Sequence, residues 1–374
     1  MRAVLSARLL LVPAALLAAA CDDSSNPIAP EEPLVVGAEA PEPNPTTGPL
    51  EGLAYWADGY LYAANVAGTV TPAAFASFNR SGGAMTVTKV AGTTGRYVAR
   101  LRNLSGLLGG KSTIQVSDAG VQLDPAYCKP VGAFLVRDSV EVRCYRVGTG
   151  AAMNSDFTLS VLGERDDRAF AFANLPTSTN YAPASAGSWN PAGPMRVYRD
   201  GVGRYRVVFT GFRARMPAGS WGHVQVKAVG TTKAHCVVGP WYGATNLEVA
   251  VACSTPAGVP TDSKFTTLVT PPAAHLAYVW ADQAATSSYS PQTAYGWNPV
   301  GGPVTITRHQ AGAYTVRWTG IDAEIRDLGT VQVTAWGDQA QCKVADFTSE
   351  TVSVLCHGPN GMLIDARYMV LLGS

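Results

Sequence analysis

One arrangement of residues occurs three times along the chain and limits its fold more than any other feature. The third copy runs from Gly329 to Cys356. Val331, Val333 and Ala335 alternate with Gln332 and Thr334, the period of a strand with two unlike faces. Gly337 ends the run, and Cys342 then opens a hairpin that Cys356 closes. The same plan spans Gly222 to Cys253 and Ser112 to Cys144, with Gln225 and Gln115 each between two apolar neighbours. The first cysteines of the pairs, Cys128, Cys236 and Cys342, stand one small domain apart, so the chain reads as a threefold repeat.

Other strands recur in step with this one. An aromatic opening strand is expected at Leu53 to Asp58, Ala169 to Asn174 and Leu276 to Asp282. Further strands start at Met85, Met195 and Val304, and another is led by Tyr97, Tyr205 and Tyr314. Closing strands begin at Asp156, Lys264 and Arg367. No stretch sustains a helical period, and the 38 glycines and 25 prolines fall mostly between short alternating runs. The expected fold is all-β, with three tandem antiparallel β-sandwich or small β-barrel domains of about 100 residues. They cover residues 51–164, 165–271 and 272–374, and their brief linkers imply neighbours that touch end to end. A formal net charge of +1 gives no field that would recruit nucleic acid.

Of the seven cysteines, six pair off within copies: Cys128 with Cys144, Cys236 with Cys253, and Cys342 with Cys356. Residues equidistant from a hairpin turn face each other across the ladder, so each pair can bond. Closing loops of this size stabilises by about 3 kcal/mol each on the chain-entropy model. Zinc is the weaker reading, since no Cys-x-x-Cys occurs and one pair supplies only two ligands.

The seventh cysteine ends an export segment. Residues 1–20 carry Arg2 and Arg8, then an apolar run too short to span a bilayer, then Ala18-Ala19-Ala20 before Cys21. This stretch resembles a bacterial lipoprotein signal, which implies acylation at Cys21 and a membrane held through that lipid anchor. Residues 21–50 contain six acidic residues and seven prolines without Lys or Arg, the composition of an extended disordered tether. Beyond it, Tyr278 to Asp282, Tyr314 to Trp318 and Val333 to Tyr368 resemble exported bacterial repeat proteins of unassigned activity. That resemblance extends loosely over residues 51–374 and brings no catalytic motif.

A search for chemistry gives little. His223, His235, His275, His309 and His357 do not recur between copies, and the chain lacks nucleophile-elbow, zincin, Walker and EF-hand sequences. Gly201-Val202-Gly203 reads as a hairpin turn, not a nucleotide fingerprint. Asp166-Asp167 and Asp322 with Glu324 are the nearest acidic pairs. Polar residues that do recur are Gln115, Gln225 and Gln332; Asp58, Asn174 and Asp282; and Asn79, Asn190 and Asn298. A ligand-contacting row is one reading, but pattern and turn chemistry explain each, with the glutamines facing solvent. Trp56, Phe172 and Trp280 read as core anchors. No cofactor, metal or catalytic residue is assigned. The expected function is a lipid-anchored, non-catalytic binding or adhesion module of the cell envelope, facing the periplasm or the cell surface. Its partner would be an envelope or extracellular protein or glycan. A structural spacer, or an enzyme with a loop-borne site in one copy, are the alternatives.

Overall fold

The computed structural model describes residues 55–374 apart from 121–123, 326–327 and 338–339; the export segment, Cys21 and the tether lie outside the described residues. The first copy carries β1 (Gly59–Ala63), β2 (Thr69–Val70), β3 (Ser77–Asn79), β4 (Met85–Lys89), β5 (Arg96–Leu101), β6 (Ser112–Ala119), β7 (Ala126–Pro130), β8 (Ser139–Arg146) and β9 (Asp156–Gly163). The second carries β10 (Ala169–Ala173), β11 (Asn180–Tyr181), β12 (Met195–Gly201), β13 (Arg204–Phe209), β14 (His223–Val229), β15 (His235–Tyr242), β16 (Leu247–Ser254) and β17 (Lys264–Thr270). The third carries β18 (Leu276–Ala281), β19 (Ser288–Tyr289), β20 (Gly296–Trp297), β21 (Val304–Gln310), β22 (Ala313–Trp318), β23 (Thr330–Trp336), β24 (Gln341–Phe347), β25 (Thr351–His357) and β26 (Arg367–Gly373). Turns, loops and short 3-10 helices join them, and the described residues contain no α-helix.

Each copy splits into an inner and an outer sheet, neither of them closed. The inner sheets are β1-β9-β6, β10-β17-β14 and β18-β26-β23; the outer ones are β2-β4-β5-β8-β7, β11-β12-β13-β16-β15 and β19-β21-β22-β25-β24. In β6, Ile114 and Val116 point into a core shared with Leu61, Leu159, Val87 and Val142. Val224 and Val226, then Val331 and Val333, do the same in the other copies. The alternating run therefore fills a sandwich, not a barrel.

Two expectations about placement fail. The opening strand of the first copy is Gly59–Ala63, not Leu53 to Asp58. Strand pairing sets this register: Ala63, Ala173 and Ala281 sit opposite Phe157, Phe265 and Tyr368. Tyr62, not Trp56, is thus the counterpart of Phe172 and Trp280. Trp56 belongs instead to an apolar cluster fed by all three copies, with Tyr60, Phe170, Tyr278, Leu268 and Leu371. Both segments alternate aromatics, and only pairing with β9 tells them apart.

Nor do the copies meet end to end. Three equivalent backbone hydrogen bonds link them laterally: Gly230 N–H to Pro130 O at 3.1 Å, Gly337 N–H to Val238 O at 2.7 Å, and Gly120 N–H to Val344 O at 3.0 Å. The first copy joins the second, the second the third, and the third returns to the first. This closes a ring with approximate threefold symmetry, and its inner sheets turn their second faces toward the axis. Gln115, Gln225 and Gln332 consequently have no exposed surface, which overturns their solvent-facing reading. Gln225 Nε2 donates to Gln332 O at 3.2 Å, and Ser117 Oγ donates to Gln332 Oε1 at 2.9 Å. The polar face of the alternating strand is matched by other polar faces instead of by water.

All three disulfides form within their own copies, each between residues that face one another in a hairpin ladder. Such bonds fit an oxidising, extracytoplasmic setting. No described helix is long and apolar enough to cross a membrane.

Candidate functional site

Comparing equivalent positions around the ring locates the site. In the second copy the Arg199 guanidinium grips Asp262 through two bonds of 2.9 and 2.8 Å. Asp262 Oδ1 also accepts from Gly203 N–H at 2.9 Å and meets the Tyr205 hydroxyl at 2.9 Å. In the third copy Arg308, Asp365, Gly312 and Tyr314 repeat this clamp, the paired bonds being 2.8 and 2.9 Å. Arg199 and Arg308 hold both carboxylates below their ordinary pKa, although burial opposes them.

The first copy breaks the clamp. Lys89 stands where the arginines stand, opposite Tyr97, and Asn154 replaces the aspartates, accepting from Gly95 N–H at 2.9 Å. The Lys89 ammonium has no ion-pair partner among the described residues. Tyr97 Oη accepts from Ser155 N–H at 3.1 Å, as its counterparts do from Ser263 and Ala366, but its proton has no described acceptor. At the first position of the last strand, Lys264 and Arg367 give way to Asp156.

These departures converge on one cleft of about 560 Å³ between the first and third copies. Tyr62, Asn65, Lys89, Tyr97, Asn154, Ser155, Asp156 and Lys343 are among its lining residues. Asn65 has a left-handed backbone, φ 51°, a conformation asparagine tolerates, and this turn points its N–H at Asp156 Oδ1, 2.8 Å away. Burial pushes the Asp156 carboxyl above its usual pKa, while Asn65 N–H and Lys343 pull it back. Burial likewise raises Tyr62 to about 12, aided by Asp156, Asp346 and Asp118. Behind the wall, Lys343 Nζ lies 3.0 Å from Asp118 Oδ2, with both side chains almost fully buried. Ser155 Oγ donates to the other oxygen of Asp118. Equivalents of this pair are Val237 with Ala335 at the next junction, so the ion pair is peculiar to this one.

The residues flagged from sequence do not gather. Asp58 is buried and ion-paired with Arg165 at 2.7 Å and Arg80 at 3.1 Å. Burial works to raise its pKa, but Arg165, Arg168 and Gly163 N–H prevail and lower it. Asp282 accepts from Gln292. Asn79, Asn190 and Asn298 make Asx turns, each accepting from the N–H two residues on. Asp167 pairs with Arg168 and Asp166 with Arg215, while Glu324 lies 3.5 Å from His275. His223 donates or accepts beside Gln225, His235 beside Ser254, and His309 beside Thr315, each in a different place. No three His, Cys, Asp or Glu side chains among the described residues are set to hold a metal ion. The cleft residues carry no recurring pattern; their signal in the sequence is that one copy differs from the other two. Comparison with family models, curated proteins and solved structures found no match.

Proposed function

We propose that this protein is a non-catalytic binding module of the bacterial cell envelope, held at the membrane through acylated Cys21 and the 22–50 tether. Its three β repeats, each about the size of a small domain, act as one rigid ring that presents the cleft of the first copy. The ligand is a short, hydroxyl-rich segment of a glycan. A volume of about 560 Å³ suits a small ligand. The lining alternates acceptors at Asp156 and Asn154 with donors at Lys89 and Tyr97, which suits sugar hydroxyls that both give and take hydrogen bonds. Tyr62 supplies an aromatic ring at the edge. The single observation behind this reading is the convergence of copy-specific polar residues in one cleft of an otherwise repetitive fold.

Glycan-array binding by the chain from Cys21 onward tests it, beside Asp156→Lys, which installs the residue of the second copy. At least one glycan class should bind and be lost in the variant. No glycan bound, or equal binding by both proteins, would refute the reading. The anchor has its own test, because Cys21→Ser should move the protein from membranes to the soluble fraction.

A further inference from the structure

Where the three disulfide hairpins converge, a second and much smaller cavity lies on the axis of the ring. Its volume is about 30 Å³, and Cys128, Cys236 and Cys342 all border it. Its charged lining is Lys129, Lys227 and Asp118, with Tyr127, His235 and Gln341 beside them. Asp118 is already matched to Lys343 across the neighbouring junction. Asp118 also attracts Lys227 across the cavity, but one carboxylate faces three ammonium groups, and Lys129 has no ion-pair partner among the described residues. Lys129 is 2% exposed and donates to Ala234 O at 2.9 Å and to Thr232 Oγ1 at 3.5 Å, and Lys227 donates to Val333 O. Each ammonium has three N–H donors, so carbonyl contacts leave donors over.

Two more buried nitrogens border the same space without a hydrogen-bond partner: His235 Nδ1 and Gln341 Nε2. With His235 Nε2 facing the Ser254 hydroxyl at 3.4 Å, the tautomer protonated at Nδ1 leaves a donor there. The cavity thus gathers cations and spare donors around a space that holds about two waters or one small ion. Unpaired buried charges are costly, and an anion on the axis would offset them.

We propose that this axial cavity binds a monovalent anion of halide size. Lys129 and Lys227 are its charged ligands, and His235 and Gln341 complete the shell. Oxyanions such as sulfate are too large for the space. The site locks the junction between the first and second copies, where no carboxylate answers the lysine. It does not depend on the glycan reading.

Thermal unfolding of the full chain from Cys21 provides the test, at fixed ionic strength and a fixed pH below about 7, where Lys129 and Lys227 hold their protons. Bromide or chloride replaces gluconate stepwise. The midpoint should rise and saturate with halide but not with sulfate, and Lys129→Met should abolish the rise. Crystals grown in bromide should show anomalous density on the axis between Lys129 and Lys227, a readout that needs no variant to fold. An unchanged midpoint in halide, or no bromide density in the cavity, would overturn the assignment.

Discussion

The Gly120 N–H donates to the Val344 carbonyl at 3.0 Å, although these residues lie far apart in the chain. That bond carries the third copy back to the first and closes the ring. Its counterparts at Gly230 and Gly337 join consecutive copies. Glycine suits these three positions because each has positive φ: 126°, 106° and 76°. The inner sheets are consequently buried on both faces, and interior polar chemistry decides much of the stability.

Lys343 and Asp118 are the sharpest instance. Their side chains are 2% and 1% exposed, so removing either partner strands a buried charge. Lys343→Val or Asp118→Ala alone should cost about 3–5 kcal/mol in urea unfolding. Together the two changes recreate the Val237 and Ala335 junction, and the double variant should recover most of the loss. An additive double variant would show that the two charges are not coupled.

The three axial glutamines should behave unequally despite equivalent positions. Gln332 accepts from Ser117 at 2.9 Å and donates to Ser160 at 3.0 Å. Gln115 makes only bonds of 3.4 Å, and its Oε1 has no partner. Gln332→Leu should therefore destabilise by about 1–3 kcal/mol, while Gln115→Leu should change stability by less than about 1 kcal/mol. Equal losses in denaturant titrations would mean that these hydrogen bonds do not govern the layer.

Stability should also depend on pH through the buried bases. Burial, with Arg143 assisting, lowers Lys129 to about 7, against 10.5 when free. Between those values the unfolded chain holds a proton that the folded one has released, so stability rises with pH. Burial lowers His223 and His235 to about 3, so stability should fall as pH drops from 6.5 toward that value. In halide-free buffer, Lys129→Met should reduce the alkaline slope, with Lys227, which burial also lowers to about 7, keeping the remainder. It should also ease the acid limb slightly, because Lys129 helps to lower His235. Chemical unfolding across pH checks both limbs.

All-β character and disulfide pairing were readable because each follows from local pattern: alternation, turn glycines and paired cysteines. What defeated the reading was the second face of the inner strands. Gln115 between Ile114 and Val116 looks the same whether its face meets water or another sheet, since period alone does not say what covers it. The register of Tyr62 was lost for a related reason, as Trp56 offered an equally aromatic strand six residues earlier. The cleft was visible in principle. Setting Lys89 against Arg199 and Arg308, and Asn154 against Asp262 and Asp365, marks the first copy as the one that departs.

That departure can be reversed. Lys89→Arg with Asn154→Asp restores the pair that closes this position in the second and third copies. The new guanidinium would grip the new carboxylate beside Gly95 and Tyr97, taking up the donors that the cleft leaves open. A partly exposed bidentate pair of this kind adds up to about 1 kcal/mol, so the unfolding midpoint should rise slightly. Glycan binding should weaken at least about tenfold, equal to about 1.4 kcal/mol. Each single change should lower binding without the stability gain, since a lone arginine or aspartate lacks its partner. If the double variant bound as the parent does, the cleft would owe nothing to the broken clamp. Loss of binding with gain of stability would show that the first copy gave up a structural ion pair to keep an open site.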